Sequence, residues 1–274
     1  MKKENYEAEV LKYFSDKAEG YDDVEKQTYW QLSDKLLWHL LTGKINELPK
    51  KFKFLDAGGG TGRWSKKILE NYPDSEGTLV DLSPDMLKQA KNKNIYCNRW
   101  KIIKGDLQKL DLQNEMFDLV INTHNVLGFV KDAQKAINEM SRVLKKQGLL
   151  ISVIPNKYHA IFFNIFQSNI DEAESINEKN EGRFVYNMPL IDMFSPKSIS
   201  EKYETANLSV INTIGFPVSI YPGFQETQLK GETKKTKNII EEHFERLFEL
   251  EKELIQDETT CARGNNLFIV GKKL

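Results

Sequence analysis

Several features are scarce or missing in this sequence, and each absence excludes a class of protein. Its 274 residues include two cysteines, Cys97 and Cys261, whose separation matches no metal or redox motif, so we expect a reducing compartment. The first ten residues, MKKENYEAEV, lack the apolar core of a signal peptide, and no apolar run approaches membrane-spanning length. We therefore expect a cytoplasmic protein with no membrane partner.

Excess charge of either sign is also missing. The chain has 39 Lys and Arg residues against 40 Asp and Glu residues, a net charge of -1. This balance gives no bulk attraction to nucleic acid or to an anionic membrane, so we expect no nucleic-acid partner. The length suits one large domain, or a domain with a cap.

A glycine-rich run, LDAGGGTGRW, is the most informative segment that is present. It covers residues 55–64, after an apolar strand-like segment and before a helical pattern. Its alternate glycines allow a tight turn and the close approach of a ligand. The dinucleotide pattern G-x-G-x-x-G does not fit, because Arg63 or Thr61 stands where a glycine is needed. A phosphate-binding P-loop is excluded as well, since no Gly-Lys-Ser/Thr ending follows.

A second segment, VDLSPDML, places an acid at the end of a strand. The apolar strand ends at Asp81, and a helix start follows with Ser83 as N-cap and Pro84 at the first position. Asp81 lies about 20 residues beyond the glycine run, where a carboxylate can accept hydrogen bonds from both ribose hydroxyls. The two segments together predict a nucleoside site.

Further strands follow at residues 102–103, 117–122 and 149–154, the last after a helix that we expect to end near Gly148. Strands that alternate with helices predict a parallel sheet covered by helices. Ligands of such sheets bind beyond the carboxyl ends of the strands, where Asp56, Asp81, Asp106 and Asn122 fall.

From about Lys51 to Asn156, these segments resemble in order the motifs of class I S-adenosylmethionine-dependent methyltransferases, with the glycine run as motif I. The resemblance implies an α/β fold: a Rossmann-like, doubly wound, mostly parallel sheet of seven strands with helices on both faces, whose last two strands form an antiparallel hairpin. It also implies S-adenosyl-L-methionine as cofactor, S-adenosyl-L-homocysteine as product, and no metal.

The resemblance also implies roles for individual residues. Asp106 would contact the adenine amino group, and Tyr13 and Tyr21 would reach over the methionine end of the cofactor. The expected cofactor-binding residues are Tyr13, Tyr21, Asp56, Ala57, Gly58, Gly59, Gly60, Gly62, Asp81, Leu82, Met86, Gly105, Asp106, Leu107, Asn122 and Thr123. Among these, Leu82, Met86 and Leu107 would form the apolar walls around the adenine ring.

Segments outside the sheet divide the chain further. Helical spacing of apolar residues predicts an N-terminal helical lid over 1–50, in which Trp30 and Trp38 are interpreted as packing residues. The core would cover 51–274, with a cap inserted after strand 5 at about 156–192 and a second insertion at 217–262. The second insertion could complete the substrate cap or form a dimerisation element, which leaves the oligomeric state open.

The chemistry of a methyl transfer needs few groups. The reaction is an in-line displacement that depends mainly on alignment. A base helps if the acceptor is a hydroxyl, and His124 is the candidate catalytic residue because it follows the fourth strand; otherwise it only lines the pocket. The expected substrate-binding residues are Asn125, Tyr158, His159, Phe162, Arg183 and Tyr186. For Phe162 the alternative is a small core of the cap, shared with Phe163 and Phe166.

Missing motifs narrow the acceptor. After the fourth strand the chain reads Asn-Thr-His-Asn, so neither an Asn/Asp-Pro-Pro-Tyr/Phe motif nor a Pro-Cys pair is present. We therefore expect methylation of an O or N atom of a small metabolite or natural-product-like molecule, with carbon methylation of an activated ring left open. The alternatives are transfer to a peptide or protein amine, or S-adenosylmethionine binding without catalysis. A nicotinamide oxidoreductase does not fit the glycine spacing.

Overall fold

The protein is described here from a computed structural model, which covers residues 5–93, 96 and 98–274. Cys97 and the first four residues lie outside this range. The strands are β1 Lys53–Ala57, β2 Glu76–Asp81, β3 Trp100–Lys104, β4 Phe117–Asn122, β5 Leu144–Pro155, β6 Glu181–Gly182, β7 Ile191–Asp192, β8 Leu208–Phe216 and β9 Asn266–Lys273.

The helices surround these strands. They are α1 Tyr6–Ser15, α2 Thr28–Ile45, α3 Arg63–Asn71, α4 Pro84–Asn92, α5 Val126–Phe129, α6 Ala133–Val143, α7 Lys157–Phe166, α8 Ile170–Lys179, α9 Pro196–Thr205, α10 Phe224–Thr227 and α11 Lys234–Leu254. Two 3-10 helices cover Ala18–Lys26 and Glu258–Arg263. Among the described residues, none of these helices has the length and apolar character that a bilayer crossing requires.

One seven-stranded sheet organises the molecule, in the order β3-β2-β1-β4-β5-β9-β8. The first five strands are parallel, and β9 runs antiparallel to both of its neighbours. The predicted mostly parallel, seven-stranded α/β fold is confirmed. Because the parallel strands share a direction, the residues after β1, β2 and β4 all reach one edge of the sheet.

Alternation along the strands creates two apolar layers. In β1, Phe54 joins the layer formed with α2, α3 and α11, whereas Leu55 joins the layer formed with α6 and α9. Both side chains are fully buried. A strand that buries both faces reads as a continuous apolar run, which explains why the sequence identified the central strands.

The predicted helix start at Ser83 is confirmed, because Ser83 accepts a hydrogen bond from the Met86 backbone nitrogen at the start of α4. At the start of α9, Ser195 forms a capping box with Ser198. The predicted helix end near Gly148 is wrong, because α6 ends at Val143 and β5 begins at the next residue. The left-handed turn falls at Gln147, with φ 64°, inside the irregular start of β5.

The N-terminal helices and the second insertion pack together. Ile240 and Phe248 of α11 are buried in the layer that contains α2. Lys35 Nζ of α2 lies 2.6 Å from the Glu245 carboxylate and 4.2 Å from the centre of the Phe248 ring. These contacts make α11 part of the cover of the sheet.

Glu251 fastens the chain segment that follows β8. This carboxylate is fully buried and accepts hydrogen bonds from the backbone nitrogens of Val218 and Ser219 at 2.7 Å, from the Ser219 hydroxyl at 2.7 Å and from the Ile220 nitrogen at 3.3 Å. It thereby satisfies backbone donors that no strand or helix engages.

We expect Glu251→Ala to lower the free energy of unfolding by about 3 kcal/mol, because several buried donors lose a charged acceptor. Urea unfolding measures the change. Glu249→Ala is the matched control on the same helix, since Glu249 forms only an exposed ion pair with Lys252 and should change stability by less than about 0.5 kcal/mol. Equal stabilities of the two variants would contradict this role for Glu251.

Candidate active site

The glycine run forms the turn between β1 and α3. Gly58, Gly60 and Gly62 have φ values of 75°, 54° and 77°, in the left-handed region that favours glycine. The Gly58 backbone nitrogen donates to the carbonyl of Val80 at 2.7 Å, which holds the turn against the end of β2. A Cβ atom on Gly60 would meet nothing within 4 Å, so this backbone faces open space.

Asp81 connects the end of β2 to the glycine turn. Its Oδ2 accepts from the Gly60 nitrogen and its Oδ1 from the Ser83 nitrogen, both at 2.8 Å. Burial raises the pKa of this carboxyl, whereas these backbone hydrogen bonds lower it. Each oxygen retains a second lone pair that a ligand hydroxyl can use.

A first cleft, of about 1040 Å³, opens at this edge of the sheet. Residues of α1 form its roof, including Tyr6, Val10 and Phe14. Twelve of the residues predicted from the sequence line it: Tyr21, Gly58, Gly59, Gly60, Asp81, Leu82, Met86, Gly105, Asp106, Leu107, Thr123 and His124. The structure thus brings together residues that lie far apart in the chain.

Three of the predicted cofactor residues support the cleft from behind. Asp56 is buried, and its Oδ2 accepts from the hydroxyl of Ser65 at 2.6 Å and from its nitrogen at 3.2 Å. Burial raises the pKa of Asp56 to about 6, although the bonds from Ser65 oppose the shift. Asn122 donates to the carbonyl of Ala57 at 2.6 Å. The expectation that these residues line the cofactor cleft is corrected, because all three are buried and the side chains of Asp56 and Asn122 bond within the protein.

Two further predicted cofactor residues also lie outside the first cleft. Gly62 is the residue before α3, and a Cβ atom there would come within 2.6 Å of the Trp100 ring. Tyr13 stacks on Phe129, with ring centres 6.0 Å apart, and lines a second cleft instead. Gly62 therefore has a structural role in the glycine turn, and Tyr13 faces the second cleft.

The second cleft, of about 950 Å³, adjoins the first. Five residues line both: Phe14, Tyr21, Arg63, His124 and Phe129. The remaining walls come from distant parts of the chain, namely Tyr13, Lys17, Val24, Trp30, Asn125, His159, Phe184, Met188, Pro222, Thr227, Leu229, Asn265 and Asn266. The two clefts therefore meet at a shared boundary.

Of the predicted substrate residues, Asn125 and His159 line this second cleft. Tyr158 and Phe162 do not; each is about half exposed, although the Phe162 ring lies 6.2 Å from the His159 ring. The expected substrate contacts of these two residues are corrected. Phe163 is buried, whereas Phe162 stacks on Phe166 at the surface, so the predicted shared core of the three rings does not form.

Arg183 and Tyr186 are corrected in the same way. The Arg183 Nε donates to the Met188 carbonyl at 2.8 Å, which uses this side chain to brace the cap. Tyr186 is fully exposed. Neither lines the second cleft. Sequence position alone could not show which cap residues turn inward.

Several lining residues were missed. Trp30, interpreted as a packing residue, lines the second cleft. Arg63, the first residue of α3, lines both clefts and is ion-paired to Glu25 and Asp34. The sequence signal that could have identified Arg63 as a site residue was its position directly after the glycine turn. The two acids lie in the 3-10 helix and in α2, so the partners of Arg63 depend on the tertiary fold.

The N-terminal segment is fastened to the glycine turn at a second point. Asp22 accepts from the Thr61 hydroxyl at 2.6 Å and forms an ion pair with Lys93. Lys93 also donates to the Thr61 carbonyl at 2.9 Å. Ser15, at the end of α1, donates to Asp85 of α4 at 2.6 Å. These bonds hold the roof over the first cleft.

His124 stands at the shared boundary with a left-handed backbone, φ 53°. Its Nε2 accepts a hydrogen bond from the Trp64 indole at 2.7 Å. Burial, aided by the positive charge of Arg63, lowers the pKa of His124 to about 3. A neutral imidazole whose Nε2 lone pair is already engaged is poorly suited to take a proton there, so the geometry favours a positioning role.

Known proteins share both the sequence pattern and the fold. A family model described as "Methyltransferase domain" matches residues 54–148. Malonyl-[acyl-carrier protein] O-methyltransferase of Legionella pneumophila is 31% identical over 143 residues, 52% of this chain and 48% of that protein. Demethylmenaquinone methyltransferase of Chlamydia pneumoniae is 30% identical over 154 residues, 55% of this chain and 64% of that protein. The chain spans about half the length of the first of these relatives.

Solved structures extend the likeness in fold. An S-adenosylmethionine-dependent methyltransferase from Mesorhizobium loti superposes with a TM-score of 0.56 at 14% identity, covering 91% of this chain and 100% of that one. The [4+2]-cyclase SpnF superposes with a TM-score of 0.54 at 15% identity, covering 85% and 79%. At such identities the likeness shows the fold alone.

The lowered pKa of His124 predicts a pH dependence of stability. The folded-state pKa is about 3 against an ordinary value of 6.5, so below pH 6.5 the unfolded chain binds a proton that the folded protein does not. Stability present above pH 6.5 is therefore lost as the pH falls toward 3. Between about pH 7 and pH 5, His124→Gln should lose about 1–2 kcal/mol less free energy of unfolding than the unmodified protein. Urea unfolding at the two pH values measures the difference.

His39 provides the matched control for this experiment, because it is an exposed histidine of α2. His39→Gln should keep the full pH dependence of the unmodified protein. If His124→Gln and His39→Gln lose equal stability between the two pH values, His124 is not the buried neutral group described above.

Proposed function

We propose, on the premise that this chain carries a class I S-adenosylmethionine-dependent methyltransferase domain, that the protein moves a methyl group to an O or N atom of a small metabolite or natural-product-like molecule. The observation that carries the proposal is the shared boundary of the two clefts. A donor in one cleft and an acceptor in the other meet at Tyr21, Arg63 and His124. In-line displacement needs such a meeting point.

S-adenosylmethionine is the cofactor of this domain, and the first cleft fits it. The open space over Gly60 lets a ligand approach the backbone. The Asp81 carboxylate lies beside it, where it would accept the ribose hydroxyls. Asp106 lies on the same cleft and would contact the adenine amino group, and Leu82, Met86 and Leu107 would enclose the ring. When bound, the cofactor supplies a methyl group on a cationic sulfur.

The chain contributes alignment and exclusion of water. We propose that residues 1–50 act as the lid of a core over 51–274, since the contacts of Asp22 with Thr61 and Lys93 fasten that segment to the glycine turn. The insertions at 156–192 and 217–262 both contribute walls to the second cleft, through His159 and Pro222 among others. Tyr21 is a neutral donor at the boundary, because burial raises the pKa of its phenol to about 12.

The walls of the second cleft support a small acceptor. Aromatic side chains line it on several sides, as they do in many pockets for small molecules. The relatives act, by their names, on malonyl-[acyl-carrier protein] and on demethylmenaquinone, which are different acceptors. The acceptor of this chain therefore has to be inferred from its own second cleft.

Gly60→Ala tests the cofactor site. The added methyl group fits the protein but projects into the first cleft, so calorimetric affinity for S-adenosylmethionine should fall at least about tenfold. Gly231→Ala is the matched control, because Gly231 also has a positive φ and open space but does not line either cleft. Both variants should lose about 1 kcal/mol of stability from backbone strain.

Transfer of a labelled methyl group from S-adenosylmethionine into the small-molecule fraction of a metabolite extract tests catalysis. Gly231→Ala should retain transfer and Gly60→Ala should lose it. Tight binding of NAD without binding of S-adenosylmethionine would overturn the proposal. Binding of S-adenosylmethionine without transfer to any acceptor, small molecule or peptide, would support a non-catalytic binding protein instead.

A further inference from the structure

Three residues that line the second cleft carry buried polar atoms with no hydrogen-bond partner in the part of the chain that the structure describes. They are the indole Nε1 of Trp30, the amide Oδ1 of Asn125 and the imidazole Nε2 of His159. All three residues line this cleft, and His159 is only 4% exposed. An unpaired buried polar atom costs roughly 1–3 kcal/mol, so these atoms indicate a ligand with polar groups. The Trp30 indole can only donate, and His159 donates in its Nε2–H tautomer, so these two suit a ligand oxygen that accepts; the Asn125 oxygen needs a donor.

The charged side chains that line the second cleft are basic. Among the described residues that line it there is no aspartate or glutamate, whereas Lys17 and Arg63 are both present. Arg63 is ion-paired to Glu25 and Asp34. The Lys17 ammonium donates to the Gln228 carbonyl at 3.3 Å and lies 4.8 Å from the centre of the Tyr13 ring.

This setting penalises the charge of Lys17. Burial, with the nearby charge of Lys230, lowers the pKa of the Lys17 ammonium. An anionic ligand in the second cleft would stabilise the charged form of Lys17 and so offset the effects of burial and of Lys230. A cationic ligand would destabilise that charged form further.

The aromatic side chains that line the second cleft favour a ligand with a flat apolar ring. Tyr13 stacks on Phe129, and Phe14 meets Phe129 edge to face with ring centres 4.9 Å apart. Phe184 also lines the cleft, and its ring lies 6.2 Å from the His159 ring. Offset and edge contacts of this kind receive a planar molecule well.

Neither the histidines that line the second cleft nor a carboxylate among its described lining residues offers a base for the acceptor. His124 uses its Nε2 on Trp64, burial lowers the pKa of His159 to about 4, and the described lining residues include no carboxylate. A neutral alcohol or a protonated amine needs a base before it can attack. An ionised oxygen needs none.

We propose that the methyl acceptor is a flat, apolar molecule whose accepting atom is an ionised oxygen, of a carboxylate or a phenolate, held in the second cleft by Lys17, Trp30 and His159. The inference rests on the proposed methyl transfer and names its acceptor class. The acceptor oxygen forms a bond to the methyl carbon while the carbon–sulfur bond breaks and leaves its electron pair on sulfur. The products are a neutral methyl ester or ether and neutral S-adenosylhomocysteine, and no proton is transferred.

The test measures binding of three single-ring probes, benzoate, phenol and benzylammonium, to the full chain loaded with S-adenosylhomocysteine, by ligand-observed NMR. We expect benzoate or phenol to bind at least about tenfold more tightly than benzylammonium. Preference for benzoate indicates a carboxylate acceptor. Preference for phenol, with affinity that rises as the pH approaches the phenol pKa, indicates a phenolate.

Single substitutions test whether the proposed residues, and not the overall charge of the protein, hold the anionic probe. Lys17→Gln should weaken the preferred anionic probe about tenfold, and Trp30→Phe, which keeps an aromatic ring but removes the indole donor, should weaken it several-fold. Lys12→Gln is the matched control, because Lys12 is an exposed lysine of α1 that does not line the second cleft. All variants should retain S-adenosylhomocysteine affinity.

Three results would overturn the acceptor class: benzylammonium binding as tightly as the anionic probes, no binding of either benzoate or phenol, or unchanged affinity in Lys17→Gln. Each of these leaves binding of S-adenosylhomocysteine intact, so the proposed cofactor function survives. Failure of S-adenosylhomocysteine to bind the unmodified chain instead overturns the proposed function, and the acceptor class with it.

Discussion

The arrangement of both clefts depends on the ion pairs of Arg63. The side chain of Arg63 is only 9% exposed, so its charge needs partners. Glu25 and Asp34, both from the N-terminal part of the chain, supply the partner carboxylates. Arg63 is also the first residue of α3, directly after the glycine turn. One buried charge therefore fixes the roof, the turn and the boundary between donor and acceptor with respect to each other.

The half of the site at the glycine turn could be predicted because its signals are local. The turn, the acid that ends β2 and the helix start at Ser83 each lie within a few residues of sequence. What the spacing could not show is orientation. Asp56 is the last residue but one of β1 and Asp81 is the last residue of β2, yet Asp81 faces the cleft while Asp56 bonds Ser65 behind it. In the sheet Asp56 lies beside Leu79, so Asp81 reaches two residues further toward the edge where the cleft opens.

The acceptor half could not be predicted in the same way, because its walls converge only in the folded chain. Trp30 from α2, His159 from α7 and Pro222 from the second insertion meet across one cleft. In α7, two adjacent stripes carry aromatic rings, so the sequence did not show that His159 and Phe163 turn inward while Tyr158 and Phe162 stay half exposed. Some fifty residues separate β8 from β9, and their pairing was predicted from the resemblance to a known family and not from the sequence pattern.

The packing of α11 on α2 has a kinetic consequence. Lys35 lies against Glu245 and Phe248, so α2 belongs to the rigid body of the protein. The segment before it, α1 and the first 3-10 helix, is held by polar contacts such as Ser15 with Asp85 and by the buried side chains of Tyr6 and Val24. Gln27 separates this segment from α2. Any opening of the clefts by this segment would also have to break the ion pair of Arg63 with Glu25, so the contacts that shape the site would slow the exchange of ligands.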